Sequence, residues 1–395
     1  MTLKHSCDIK DILIIGGGLV GATLAVALAL TKKEYSQALV DAAPEEALFD
    51  PRLIALTPGS VCLFKNLDIW PHLVKYAEPI KHIHVSKRGS FGSVAIHAAE
   101  LDLSELGFVV PAKYINAALY SIIRKTSAIT LLKPAQLQSF TYNQEEVSLQ
   151  INLGEKTTTY RAKKMIGADG NHSLVRQLLN IPTRQIDYHQ SAIVTMTTLK
   201  SAHENVAYER FQHKGAIAML PLQENKVATI WTDDNAIISD LMTLEDEAFI
   251  KQLQKNMGYR LGRFLAISQR SVFPLQMIQA KELPQSKLFL LLGNAAHTLN
   301  PIAAQGLNLS LYEVAALVEN LQKNDFSLHG FHHQYQKSLQ LSHYLPKIFA
   351  SDFFMLPGIR PLGMLGLDSF FPAKKFFAKA AMQHSGKIPA LLLPD

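Results

Sequence analysis

The stretch "DILIIGGGLVGATLAVALAL", residues 11–30, decides the fold of this chain. It begins with a short β-branched run, continues through three glycines and ends in small apolar residues, which predicts a strand, a turn and a helix. Gly16, Gly18 and Gly21 form the pattern G-x-G-x-x-G. In a dinucleotide-binding turn these glycines allow a tight turn, the approach of a pyrophosphate and close packing of helix on strand. Because the N-terminus of the following helix favours negative charge, the stretch predicts a dinucleotide site.

A second block supports this prediction. Residues Gln37–Val40 predict another strand, which is followed by Asp41, 25 residues after Gly16. A carboxylate at this place suits the ribose hydroxyls of adenosine and disfavours a 2′-phosphate. The two blocks together predict FAD or NAD rather than NADP. The alternative is a glycine turn that happens to precede a surface acid.

The first stretch also raises the alternative of a membrane anchor. Ile12 to Leu30 is a run of 19 residues without charge, which is long enough to span a bilayer. Three consecutive glycines favour a turn instead, because each glycine inside a helix costs about 1 kcal/mol relative to alanine. The mixed charge of residues 1–11 and the lack of a nearby small-residue cleavage site disfavour a secretory signal. We therefore expect a buried strand and a buried helix.

Composition places the chain among globular proteins. It has 395 residues, 48% of them hydrophobic and 18% charged, which predicts two domains or one large domain with an insertion. Cys7 and Cys62 are its two cysteines, so no disulfide framework is predicted and a reducing cytoplasm fits. The formal net charge is +6, but no run of five basic residues occurs, so we expect no nucleic-acid partner.

Three further blocks carry recognisable patterns. "FDPRLIALTPGS", residues 49–60, contains Arg52. "MIGADGNHSLVRQLL", residues 165–179, predicts a strand, a glycine turn and a helix. "LFLLLGNAAHTLNPIAAQGLNLSLYEVAAL", residues 288–317, predicts a third strand, a loop of small residues and a helix from about Gln305. The strand is expected to end at the glycine of "GNAAH".

These blocks, in this order, resemble the class A flavoprotein aromatic monooxygenases, and the resemblance runs from residue 11 to about 320. In that family the third block usually reads G-D-A-A-H-x-x-x-P-x-x-G-Q-G-x-N, and its loop lies against the flavin ring. This chain departs from the pattern at Asn294, where aspartate is usual, and at Ala304, where glycine is usual. The "GN" form, "FDPRLIALTPGSVCLFKNLDIW" and "VVPAKYINAAL" are similar to the ubiquinone-biosynthesis branch, in particular the 2-polyprenyl-6-methoxyphenol hydroxylases.

The resemblance implies an α/β fold of the para-hydroxybenzoate hydroxylase type. A Rossmann-type FAD-binding domain would carry an inserted, mostly antiparallel β-sheet substrate domain and a helical C-terminal segment. The alternating stretches "IKHIHVS", "AIVTMTTL" and "KVATIWT" fit a sheet with one buried face. The implied ranges are 1–75, 105–183 and 280–350 for the FAD-binding domain, 76–104 and 184–279 for the substrate sheet, and 351–395 for the C-terminal segment.

The resemblance also implies the reaction and its residues. Noncovalent FAD, with NADPH or NADH as co-substrate, would use O2 to hydroxylate a polyprenylated phenol. The implied cofactor-binding residues are Gly16, Gly18, Gly21, Asp41, Arg52, Asn116, Leu137, Asp169, Asn294, Gly306, Leu307 and Asn308. The implied catalytic residues are Arg52, Pro301 and Gln305. Candidate walls of the substrate pocket are Phe211, Met219, Leu220, Pro221, Trp231 and Phe273. His297, in the motif loop, is expected to have a structural hydrogen-bonding role.

Other functions stay open at this point. One alternative is hydroxylation of another ring position in the same pathway. A second is a halogenase or prenyl reductase on the same scaffold, and a third is a non-catalytic lipid-binding subunit. A halogenase signature, W-x-W-x-x-I-P, is absent, since Trp70 and Trp231 are far apart. No G-x-S-x-G elbow occurs, and His82 and His84 share a strand face without a third ligand, so neither a serine nucleophile nor a metal site is predicted.

A water-insoluble substrate raises the question of where the enzyme meets it. Residues 356–387 carry five basic side chains against one acid, and "PAKKFFAKAAM" would place its lysines on one side of a helix and its phenylalanines on the other. This pattern is typical of a helix at an anionic membrane surface, which for a cytoplasmic protein would be the inner face of the cytoplasmic membrane. The alternatives are internal packing of this helix, delivery by other ubiquinone-pathway proteins, and a homo-oligomer.

Overall fold

The computed structural model describes residues 9–44, 50, 52–89, 93–281, 286–298, 305–328, 331 and 388–394. Within them the helices are α1 Leu19–Ala29, α2 Pro58–Asn66, α3 Trp70–Leu73, α4 Ala112–Lys125, α5 Leu174–Leu178, α6 Asn235–Thr243, α7 Asp246–Met257 and α8 Gln305–Gln322. The strands are β1 Lys10–Ile15, β2 Gln37–Val40, β3 Leu53–Leu56, β4 Glu78–Ile80, β5 His82–Lys87, β6 Ser93–His97, β7 Gly107–Pro111, β8 Ile129–Leu132, β9 Gln136–Tyr142, β10 Val147–Leu153, β11 Lys156–Gly167, β12 Thr183–Leu199, β13 Val206–Phe211, β14 Ala216–Leu222, β15 Lys226–Asp234, β16 Phe264–Ile267, β17 Ser271–Ala280, β18 Phe289–Leu291 and β19 His297–Thr298.

The first sheet has the order β8-β2-β1-β11-β10-β9, with β18 paired to β11. Strands β8, β2, β1, β11 and β18 are parallel, and β1 and β2 are buried along most of their length, which is why they are almost continuously apolar. Ile15 lies beside Val40 and Gly167, and Gly167 lies beside Leu291. The carboxyl ends of these strands therefore meet at one edge of the sheet.

Helix α1 explains the long charge-free run. It follows β1 directly and packs against α4 and α8, so most of its residues are buried on every side. The helix has 11 residues, about half the length that a bilayer requires. The expected strand, turn and helix are thus confirmed, and no helix in the described part of the chain is long and apolar enough to cross a membrane.

The second sheet has nine strands in the order β19-β17-β12-β15-β14-β13-β5-β6, with β16 beside β12. Its pairings are antiparallel except for the parallel pair β5 and β13. One face packs under α6 and α7. The opposite face packs, through residues of β5, β14 and β15, against the small sheet β3-β7-β4. The second sheet is therefore a layer with helices on one side and the dinucleotide-binding part of the chain on the other.

The two large sheets are built from different ranges of the sequence. Strands of the first sheet come from 1–75, 105–183 and 280–350. Those of the second come from 76–104 and 184–279, apart from β19, the first residue of β12 and the last residue of β17. The domain limits themselves stay a prediction.

Two boundaries refine the expected elements. Gln37–Val40 is a strand as expected, and α8 begins at Gln305 as expected. The third parallel strand ends at Leu291 and not at Gly293, because Gly293 has φ +55° and begins a short 3-10 helix. Most of the expected C-terminal helical segment lies outside the described residues.

Candidate active site

Three loops meet at the carboxyl edge of the parallel strands and are joined by backbone hydrogen bonds. The N–H of Gly16 donates to Val40 O (2.8 Å), and that of Ala168 donates to Ile15 O (2.7 Å). The N–H of Leu292 donates to Gly167 O (2.8 Å). The structure thus brings together the glycine turn, the "GADG" turn and the "GNAAH" turn, which are far apart in sequence.

The three motif glycines have different surroundings. At Gly16, where φ is +106°, a Cβ would lie 2.4 Å from the carbonyl oxygen of Ala168. At Gly21 a Cβ would lie 1.9 Å from the carbonyl oxygen of Gly16. At Gly18, which is exposed and caps the N-terminus of α1, a Cβ would meet no protein atom within 4 Å. Two of the glycines are therefore required by the fold, whereas the space at Gly18 is open.

Asp41 follows β2 at the same edge and is held by two side chains that the sequence reasoning missed. Its Oδ2 accepts from the Tyr120 hydroxyl (2.5 Å) and from Lys133 Nζ (2.6 Å). The side chain of Lys133 is 2% exposed and that of Asp41 is 14% exposed, so this is a buried ion pair. Oδ1 accepts a longer bond, from the N–H of Ala43 (3.2 Å), so it is the oxygen that remains for ribose hydroxyls.

Two buried oxygens beside these loops have no hydrogen-bond partner within the described ranges. They are Oδ1 of Asp169, in the "GADG" turn, and Oδ1 of Asn116, on α4. The other carboxylate oxygen of Asp169 accepts from the N–H of Val175 (3.1 Å), which orients the side chain. Unpartnered buried acceptors are costly in a folded protein, so these two oxygens point to donors from a ligand.

The "GADG" and "GNAAH" turns are joined by Arg176. Its guanidinium donates to Ala295 O (2.8 Å) and Asn171 O (2.6 Å), and the residue is 5% exposed. Burial lowers the pKa of this arginine, and the nearby Asp169 opposes that effect. Thr298 adds a bond from its hydroxyl to Asn171 Oδ1 (2.8 Å). Arg176 therefore has a structural role at the site.

His297 is confirmed in its structural role, and its partner is Glu313 on α8. His297 Nε2 lies 2.7 Å from Glu313 Oε1, and both side chains are buried. The other carboxylate oxygen accepts from the N–H of Gly293 (2.8 Å). Glu313 thus fastens the "GNAAH" turn to α8. A single acid inside the apolar stretch "LSLYEVAAL" is the sequence signal that would have identified it.

The first turn of α8 lies beside these loops. Asn308 is 2% exposed; its Oδ1 accepts from Ser60 Oγ (2.7 Å) and Thr57 N (3.0 Å), and its Nδ2 donates to Ala55 O (2.8 Å). The Asn308 side chain therefore fastens α8 to β3 and α2. At Gly306 a Cβ would meet no protein atom within 4 Å, so the backbone there is open to a ligand.

The other residues predicted from the sequence make few described contacts at the site. Asn294 is half-buried in its 3-10 turn, and Leu307 is half-buried on α8. Leu137 is a core residue of β9 that pairs with Ile151, and its apolar side chain packs inside the first sheet. Pro301 lies outside the described residues, and so does the side chain of Gln305.

Arg52 precedes β3 and forms a bidentate ion pair with Asp50. Its Nε lies 2.9 Å from Oδ1 and its Nη2 lies 2.6 Å from Oδ2. The hydrogen bonds that the guanidinium donates to Asp50 raise the pKa of Arg52, although the arginine side chain is 55% exposed. Arg52 therefore stands just ahead of β3 as the exposed half of an ion pair.

The predicted pocket residues are divided between the two faces of the second sheet. Met219 and Trp231 are buried with side chains of α6 and α7, so they lie on the helix-covered face. Pro221 follows Met219 by two positions and shares that face. The prediction that these three residues line the pocket is therefore corrected, because they belong to the core of the helix-covered face. Their consecutive neighbours point to the other side because side chains alternate along a strand.

The remaining pocket candidates lie on the opposite face. Leu220 packs with residues of β3, β4 and β7. Phe211 pairs with Ala216 across β13 and β14, which places it on the same face, and it is 2% exposed. Phe273 pairs with Ala192 on β12 and is 41% exposed. These three side chains remain candidates for the pocket.

Comparison with known proteins agrees with this geometry. A family model described as "FAD binding domain" matches residues 10–324. A ubiquinone hydroxylase, UbiL, of Rhodospirillum rubrum is 30% identical over 392 residues, covering 95% of this chain and 90% of that protein. The 3-demethoxyubiquinol 3-hydroxylase of Escherichia coli is 30% identical over 317 residues, covering 79% of each chain.

Solved structures confirm the fold. The crystal structure of p-nitrophenol 4-monooxygenase PnpA from Pseudomonas putida DLL-E4 superposes with a TM-score of 0.76, covering 96% of this chain and 99% of that one. PqsL of Pseudomonas aeruginosa, in complex with 2-aminobenzoylacetate, gives a TM-score of 0.73 over 91% of this chain and 100% of that chain. Their sequence identities are 13% and 18%, so the likeness concerns the fold alone.

Proposed function

Because the chain belongs to the FAD binding domain family and is an FAD-dependent aromatic monooxygenase, we propose that its substrate is a polyprenylated phenol of ubiquinone biosynthesis. Within that pathway we propose 2-polyprenyl-6-methoxyphenol as the specific substrate. The observation that carries the proposal is similarity along almost the whole chain to a protein named as a ubiquinone hydroxylase.

The described residues fit FAD. The open space at Gly18 and the N-terminus of α1 suit the pyrophosphate, since free N–H groups there favour negative charge. Asp41 would hold the adenosine ribose through Oδ1, the oxygen that Lys133 and Tyr120 leave accessible. The unpartnered oxygens of Asp169 and Asn116 would accept from hydroxyl groups of the cofactor.

Bound FAD, once reduced by NADPH or NADH, supplies the activated oxygen that is transferred to the ring. The chain itself must hold the phenol and keep water away from it. The face of the second sheet that includes Leu220 and Phe211 supplies apolar cover. Backbone N–H groups at the start of α8, around Gly306 and Leu307, would stabilise negative charge beside the ring. Arg52 would attract a phenolate, since its paired guanidinium stays protonated.

A direct assay tests the proposal. Purified protein with FAD would be incubated with NADPH or NADH, O2 and a short-chain 2-polyprenyl-6-methoxyphenol, and the product identified by mass spectrometry. We expect one added oxygen on the ring and matching consumption of nicotinamide cofactor. A deletion strain should accumulate the unhydroxylated phenol, and the position of the missing hydroxyl identifies the ring carbon. Accumulation of a later intermediate would assign the chain to another hydroxylation of the pathway.

A noncatalytic lipid-binding role predicts a different result in the same assay. The departures Asn294 and Ala304 motivate this alternative. A protein that binds the phenol but holds no flavin and consumes no nicotinamide cofactor would support it.

We also propose that the enzyme collects its substrate at the inner face of the cytoplasmic membrane through residues 356–387, which lie outside the described residues. The basic and aromatic content of this segment supports the proposal, because each basic residue near an anionic surface contributes about 1 kcal/mol. Wild type should float with anionic vesicles, and added salt should weaken binding. Binding should be lost when Lys374, Lys375 and Lys379 become glutamate. Equal flotation of this variant would indicate delivery by partner proteins.

A further inference from the structure

Glu209 lies on the face of the second sheet that is turned toward the FAD-binding part of the chain. On β13 it pairs with Ala218 of β14 and with Val85 of β5. Ala218 in turn pairs with Ile230 of β15. Side chains directly opposite one another in a sheet share a face, and Val85 and Ile230 pack with residues of β3, β4 and β7. Glu209 therefore stands in the same layer as the candidate pocket.

The surroundings of this carboxyl are unusual for an acid. Its direct neighbours across the sheet are the apolar side chains of Val85 and Ala218, and Ile230 lies one strand beyond Ala218. Glu209 is half-buried, and its carboxylate forms no hydrogen bond or ion pair within the described part of the chain. Burial raises the pKa of Glu209 to about 7. An unpaired acid among apolar side chains destabilises a fold, so a role in function is the better explanation.

The charged groups on the surrounding elements do not provide a partner for the Glu209 carboxylate. Lys87 lies on β5, two positions beyond the partner of Glu209. Glu78 on β4 accepts from the side-chain amide of Asn205 (2.7 Å). Arg52, ahead of β3, is paired with Asp50. On β14 and β15 the residues of this face nearest Glu209 are Ala216, Ala218, Leu220, Ala228, Ile230 and Thr232, which carry no charge. The charged residues of this face lie at the two ends of β15, where Lys226 is paired with Glu224 and Asp234 with Lys214.

We infer that the Glu209 carboxylate accepts a hydrogen bond, and then the proton, from the phenolic hydroxyl of the substrate. This inference rests on the proposed function, because it requires a phenol in the pocket. The O–H bond of the phenol breaks, the proton passes to a carboxylate oxygen of Glu209, and the electron pair stays on the phenolate oxygen. The ring then becomes more electron-rich and accepts oxygen faster. The carboxylic acid loses its proton to water before the next turnover.

The test compares Glu209→Gln with Glu224→Gln, a matched change at an exposed glutamate that is paired with Lys226. Both variants should keep the wild-type FAD content. Wild-type turnover should rise through about pH 7, since the ionised carboxylate is the active form. Glu209→Gln should lower turnover by roughly 100-fold and abolish this rise, because general-base catalysis contributes about 10²–10⁴-fold. Wild-type turnover and an unchanged pH profile in Glu209→Gln would overturn the inference.

A binding measurement separates this inference from the proposed function. The phenol and its methyl ether, which lacks the acidic proton, would each be titrated against the FAD-bound protein by flavin absorbance. Wild type should bind the phenol at least tenfold more tightly than the ether, and Glu209→Ala should bind the two about equally. Equal binding by wild type would overturn the inference, whether or not hydroxylation is seen. A wild type that prefers the phenol through Glu209 but never hydroxylates it would overturn the proposed function alone.

Discussion

Two glycines of the same motif should respond to the same substitution in opposite ways. In Gly21→Ala the new Cβ would lie 1.9 Å from the carbonyl oxygen of Gly16, a backbone atom. In Gly18→Ala the new Cβ would meet no protein atom within 4 Å. The first change should therefore damage the fold, and the second should damage only the binding of FAD.

The size of the first effect follows from what surrounds Gly16. Contacts of a real Cβ are essentially never shorter than 3.0 Å, so α1 and the turn must separate by roughly 1 Å. The turn cannot yield easily, because the N–H of Gly16 donates to Val40 O at 2.8 Å. Overpacking of a core usually costs about 1–3 kcal/mol. We expect about 3 kcal/mol for Gly21→Ala, since the obstacle is backbone rather than a flexible side chain.

The second effect follows from the accessible space at Gly18. Its φ of −66° and ψ of −177° suit alanine, so the apo-protein should lose at most about 1 kcal/mol, the cost of alanine at a helix N-cap. The added methyl group would occupy space that the pyrophosphate needs. We expect FAD to bind at least ~100-fold more weakly, which corresponds to about 2.7 kcal/mol.

Denaturant unfolding of the apo-proteins and fluorescence titration with FAD measure the two effects separately. The reasoning fails if apo-Gly21→Ala unfolds like wild type, or if Gly18→Ala binds FAD with the wild-type Kd. A full flavin complement in purified Gly18→Leu would likewise show that the turn does not hold the pyrophosphate.

Three further changes test other parts of the site. Arg52→Ala should keep FAD but slow hydroxylation or divert it to hydrogen peroxide, and unchanged coupling of NADPH use to product would exclude the assigned role. Lys133→Met removes the buried partner of Asp41 and should cost about 3 kcal/mol by denaturant unfolding, whereas Lys163→Met removes an exposed partner of Asp11 and should leave the unfolding free energy almost unchanged. Glu313→Leu strips the Gly293 N–H and His297 of their partner and should cost about 3 kcal/mol, with loss of FAD; unchanged stability and FAD content would contradict this.

Local patterns in the sequence determined the dinucleotide site. The glycine turn, its strand and its helix lie within twenty residues of one another, and Asp41 follows the next strand directly. Backbone geometry and side-chain size act at such short range, so spacing alone predicts the loop and the cofactor class. The same holds for the third block, where a run of small residues and the start of a helix follow one another directly in the sequence.

Only the tertiary structure decided which side chains meet. Lys133 pairs with Asp41, 92 positions away in the sequence, and no periodicity of the sequence predicts such a pair. Alternation along β14 predicts that Met219 and Leu220 point to opposite faces of the sheet. Which face carries the helices and which faces the candidate pocket is decided by the packing of the neighbouring layers. The sequence of β13 alone would suggest that Glu209 is a surface acid. It becomes a functional candidate only because the small sheet β3-β7-β4 packs on its face of the second sheet. Long-range packing sets burial and partners, and these in turn set the chemistry of a side chain.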